Sequence, residues 1–80
     1  MSADYMKCTI EEFKTMVATC TKAILMGEDD NVIEASFKCV GLHYLNFEGS
    51  DLDVLVAQSY FRYASNKYLD YTIERDLHGN

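Results

Sequence analysis

Apolar residues recur three and four positions apart along most of the chain, in three stretches punctuated by Gly27 and Gly49. That period belongs to helices with a buried face. In the first stretch Ile10, Phe13, Val17, Cys20 and Ile24 form one seam, with Met16 and Ala23 widening it to one side. Glu11, Lys14, Thr15, Thr21 and Lys22 fall on the opposite side. Thr9-Ile-Glu-Glu12 matches a capping box, so a helix is predicted from Thr9 to Gly27.

The second helix is predicted to start at Asp30 or Asn31, where Asn31 and Glu34 repeat the capping spacing and Glu28, Asp29 and Asp30 complement the helix dipole. It carries two seams: Ile33, Phe37, Val40, Tyr44 and Phe47, and beside them Val32, Ala35, Cys39 and Leu42. A helix apolar around most of its circumference calls for neighbours on more than one side. The third helix opens at Ser50, with Asp53 as its reciprocal acid, and extends as far as Leu77. One of its seams is Leu52, Val56, Ser59 and Tyr63; the other is Ala57, Phe61, Ala64, Tyr68 and Tyr71. Arg62 and Gln58 lie outside both. Gly27 and Gly49 are each placed to provide a left-handed C-terminal cap.

The fold class that follows is all-α: one domain over residues 1–80, a small three-helix up-down-up bundle with frayed ends at 1–8 and 78–80. A break of the third helix near Ala64 to Asn66, giving a fourth helix, is the alternative. The run VLVAQSYF has strand-like composition but nothing nearby to pair with. A third helix of roughly 27 residues spans about 40 Å and overhangs a first helix of about 17. The overhang is the tyrosine-rich end. Several large rings left in water form an unfavourable surface, so a two-fold dimer is expected.

Charge narrows the partners. Thirteen acids against seven bases give a net charge of −6, too little positive charge for direct nucleic-acid binding or for an anionic membrane. Such a chain is steered toward proteins with basic surfaces. Cys8, Cys20 and Cys39 are widely spaced and odd in number, which suits a reducing compartment. With no apolar signal segment in MSADYMK and no long apolar run, a cytoplasmic location is expected.

Residues 59–71, SYFRYASNKYLDY, hold five rings with Arg62 and Lys67 among them. Single-strand binders combine rings with bases in this way. Here, however, the rings follow a packing period and the acids Asp70, Glu74 and Asp76 follow them. The stretch therefore reads as half core and half protein interface, with Tyr60, Arg62, Tyr63, Tyr68 and Tyr71 as contacts and Asp70 and Glu74 as steering charge.

Other chemistry is thinner. Cys39 and His43 stand one helical turn apart and could share a metal with Cys20 and Cys8, but no paired knuckle supports such a site. The same two as a thiol and its base would need a cleft and oxyanion donors that a chain of this size has little room for. The acid clusters lack the spacing of a calcium loop. The reading is thus a non-enzymatic interaction module without cofactor, of the size and charge of immunity, antitoxin or phage counter-defence inhibitors. The alternative is an oligomeric binder of a small, nucleotide-like ligand in a pocket lined by Tyr44, His43, Tyr63 and Lys67.

Overall fold

The computed structural model describes residues 8–78, which form an all-helical bundle with no strands among them. Its helices are α1 (Ile10–Leu25), α2 (Asp30–Leu45) and α3 (Asp51–His78), joined by short turns. The expected frayed ends fall mainly on residues 1–7 and 79–80, outside the described residues. At their margins, Cys8 is buried against the bundle with its thiol 3.6 Å from the His43 carbonyl, and His78 completes the last turn of α3.

The ends of the helices follow local chemistry. Thr9 makes the full capping box: its hydroxyl accepts from the Glu12 amide at 3.1 Å, and the Glu12 carboxylate accepts from the Thr9 amide at 2.9 Å. At the other end of α1, Gly27 adopts φ +70°. This left-handed turn lets the Glu28 amide reach the Ala23 carbonyl at 3.1 Å and the Gly27 amide reach Ile24 at 3.2 Å, a Schellman closure.

Two expected caps are corrected. The N-cap of α2 is Asp29, which makes no side-chain capping bond, and Glu34 turns instead toward Arg75 of α3 at 3.6 Å. Gly49 is not a left-handed cap either, because α2 already ends at Asn46 and Gly27 is the only described glycine with positive φ. What Gly49 supplies is space: a Cβ there would lie 2.9 Å from the Phe47 ring and from the Asp53 side chain. Ser50 opens α3 by accepting from the Asp53 amide at 3.1 Å.

α3 is one continuous helix of 28 residues, so the break near Ala64 to Asn66 does not occur. No proline or glycine interrupts it, and Ala64 is fully buried at the point where a bend was expected. α3 is nearly twice as long as either neighbour, and the molecule measures 43 × 29 × 17 Å.

The core has two parts. Phe13, Val17 and Cys20 from α1 meet Val40 from α2 and Ala57 and Ala64 from α3, all at 2% exposure or less. The two alanines, seven residues apart, let α3 come close to this cluster. Along the α2–α3 contact, rings alternate between the helices. Tyr68 stacks on Phe37 and Tyr44 on Phe61, each pair with centroids 4.3 Å apart and planes within 4°. Phe37 and Phe61 join the pairs at 6.3 Å, and Tyr44 reaches Phe13 at 5.9 Å.

Replacing Phe37 with leucine keeps apolar volume but breaks this column in the middle. It should cost about 1–2 kcal/mol, the scale of ring-pair terms plus imperfect repacking. Urea unfolding followed by circular dichroism measures it, and an unchanged midpoint would show that the column contributes nothing beyond area.

Candidate interaction surface

The residues singled out in SYFRYASNKYLDY divide among three environments. Phe61, Ala64 and Tyr68 point inward, and the Tyr68 ring is taken up by Phe37, so it serves packing. Tyr60, expected as an interface contact, is partly buried. It packs against the core cluster, and Lys14 of α1 lies over its ring at 5.8 Å. Tyr63 is half exposed, with Lys67 Nζ 5.6 Å from its centroid. Arg62 is exposed.

Tyr71 closes a clasp between helices. Its hydroxyl donates to the Asp30 carboxylate at the start of α2, and Arg75 lies over its ring at 5.4 Å while pairing with Glu34. The bond to Asp30, followed by desolvation and the negative charge of Asp30, holds the phenol above its ordinary pKa. Glu34 and Asp30, read as capping acids of α2, are thus spent on α3.

Two shallow depressions flank α3. Ser59, Tyr60 and Tyr63 line one of them. The other lies where α3 passes the end of α1 and is lined by Ile24, Leu25, Lys67, Asp70, Tyr71 and Glu74. It gathers three of the expected interface residues, Asp70, Tyr71 and Glu74, around two aliphatic side chains of α1. On their own helix Asp76 pairs with Arg75 at 3.8 Å, and Glu74 lies 3.2 Å from His78 Nε2.

The residues expected around a small ligand are differently engaged. Tyr44 is stacked on Phe61 within the ring column, and His43 Nδ1 is bonded to the Cys39 carbonyl at 2.7 Å. Tyr63 and Lys67 face one another on α3.

The thiols are likewise separated. Cys20 is fully enclosed, and burial raises its pKa; Cys8 is raised by burial and then by Glu12. Cys39 is exposed. Among the described residues no three His, Cys, Asp or Glu side chains are grouped to hold a metal, so Cys20, Cys39 and His43 do not assemble as a ligand set.

A line of exposed apolar side chains on α3 was missed by the seam assignment. Leu52, Leu55, Tyr63, Leu69, Ile73 and Leu77 are 49% to 72% exposed on the side of α3 turned away from Ala57 and Ala64. Leu52, Ser59 and Tyr63, read as a second core seam, belong to this outer side, and only Val56 of that set is partly buried. Leu52, Leu55, Ser59, Arg62, Asn66, Leu69 and Ile73 step by three and four, which is the missing signal. The polar residues at its centre hide it. The second seam of α2 is also outward, with Val32 and Leu42 at 44% and 50% exposure. No protein-family model matches the sequence, and neither a curated protein nor a solved structure matches it at a significant level.

Tyr71→Phe should lower the melting temperature at neutral pH. Because the folded pKa lies above the unfolded value of about 10, the contribution of the bond is complete below that value and fades as pH rises through the folded one. The gap between wild type and variant should therefore close above about pH 10. A gap that persists unchanged there would dissociate it from the phenol's proton.

Proposed function

We propose that this protein is a small non-enzymatic interaction module, an up-down-up bundle that self-associates and binds, and thereby regulates or inhibits, a protein with a basic surface. The observation that carries the reading is the open groove beside the end of α1, where Asp70 and Glu74 flank Ile24, Leu25 and Tyr71. An apolar floor rimmed by two acids against one base, Lys67, suits a partner side chain whose apolar stem ends in a positive charge. The carbonyl end of the α1 dipole adds to the negative potential there. Net charge of −6 extends the attraction beyond contact distance.

Binding rather than chemistry is favoured by the state of the reactive groups. The Cys20 thiol is enclosed with a raised pKa, which suppresses the thiolate, while Cys39 is exposed and the His43 Nδ1 beside it is bonded to the Cys39 backbone carbonyl instead of to the thiol. The small-ligand alternative would need Tyr44 to leave its stacked partner. A cytoplasmic setting fits three reduced cysteines, and the comparison with inhibitors of immunity or counter-defence type rests on size and charge.

The test is affinity capture from the native host on immobilised wild type and on Glu74→Lys, a substitution at an exposed position. Wild type should retain a basic protein that raised salt releases, and the reversed variant should retain less than about a tenth as much, in line with the loss of close charge pairs. Equal recovery on both columns would place the binding surface elsewhere.

A further inference from the structure

We infer that the second copy docks along the outer face of α3, helix against helix in antiparallel orientation, with Tyr63 the one ring of the tyrosine-rich stretch at the contact. This rests on the self-association reading above and specifies its surface. Six large apolar side chains, each 49% to 72% exposed, occupy that face from Leu52 to Leu77. At on the order of 100 Å² apiece they present roughly 600 Å², divided between Leu52 and Leu55 at one end and Leu69, Ile73 and Leu77 at the other, with Tyr63 between them. A stable dimer needs about 800 Å² from each partner, and the interspersed Ser59, Arg62, Asn66 and Asp70 supply the remainder.

The spacing suits a helical partner. Alternate steps of three and four along one face make the seam of a two-stranded coiled coil. The core does not require it, because Ala57, Ala64, Phe61 and Tyr68 already hold the inner face of α3. The seam is apolar at its two ends and polar at its middle, where Ser59, Arg62 and Asn66 fall.

Charge sets the direction. A parallel two-fold pair would place Arg62 against its own copy, a like-charge contact on a surface being desolvated. Run antiparallel with Leu55 opposite Ile73 of the second copy, the same spacing puts Arg62 opposite Asn66 of that copy. Arg62 then points toward the half of the helix carrying Asp70, whose carboxylate and the Asn66 carbonyl can accept from a guanidinium. In the same register Leu55 meets Ile73, Ser59 meets Leu69, and Leu52 falls opposite Asp76 with Leu77 beside it. Antiparallel helix dipoles also oppose one another favourably.

Sedimentation equilibrium on the full chain should give twice the 9.1 kDa monomer mass. Leu69→Glu/Ile73→Glu should raise the dimer dissociation constant by at least about 100-fold while leaving the helical circular dichroism intact, since both side chains face solvent in the monomer. Leu55→Glu, at the other end of the seam, should act likewise and serves if the first variant fails to fold. In a Cys39→Ser background, oxidising a mixture of Leu55→Cys and Ile73→Cys chains should give mixed disulfide dimers, and Leu55→Cys alone should give few.

A dimer that survives both glutamate variants would overturn this face while leaving self-association intact. Efficient crosslinking of Leu55→Cys to itself would overturn the antiparallel orientation. A wild type that stays monomeric throughout would overturn the self-association reading with it.

Discussion

Phe37 sits between two rings of α3, stacked on Tyr68 and close to Phe61, and most of the α2–α3 contact depends on that insertion. A flat ring gives its full area only when its neighbours lie parallel or edge-on at a set spacing. The column therefore fixes how far along one another α2 and α3 sit, to within a fraction of a turn. Once the register is set, Tyr71 arrives at Asp30 and Arg75 at Glu34, and the two ends of the contact are tied. On the other side of α3 the requirement is reversed: Ala57 and Ala64 are small so that Phe13, Val17 and Cys20 can fill the space between helices. Large residues toward α2, and small ones toward α1 with Tyr60 at their margin, give the bundle its asymmetry.

The division of labour along α3 explains how a chain of this size holds a core of nine buried side chains without metal or disulfide constraints among the described residues. Each inward residue either fills the cluster or stacks in the column. The enclosed volume is small, but the rings carry much of their area into contact while remaining only partly buried. The structure also separates binding from support. Tyr68, which composition alone would place at an interface, is held by packing, whereas Asp70, Tyr71 and Glu74 border an open groove.

Much of the fold is written in local chemistry. The Thr9 cap, the single seam of α1, the inner seams of α2 and α3 and the left-handed turn at Gly27 are all readable because each depends on residues within a turn of one another. What was not readable depends on competition between distant groups. Asp30 and Glu34 look like capping acids until Tyr71 and Arg75 arrive from 41 residues further on in both cases, a pairing that only the register of the ring column decides. The outer stripe of α3 was obscured for a different reason. Periodicity locates an apolar face but not its direction, and Leu52 and Tyr63 fit a core seam as well as they fit a solvent seam. The aim of Ala57 and Ala64 decides between the two. The identity of a partner has no counterpart inside the chain, so no pattern of the chain's own residues encodes it.

The continuity of α3 has a wider consequence. Residues on its two sides answer to separate demands, so substitutions on the outer side leave the ring column and the alanine contacts untouched. Drift can proceed there at little cost to folding, while the inner side stays under strict constraint. A lineage carrying this bundle could therefore exchange one binding specificity for another by altering a handful of exposed positions on a single rigid rod, with the scaffold unchanged beneath them.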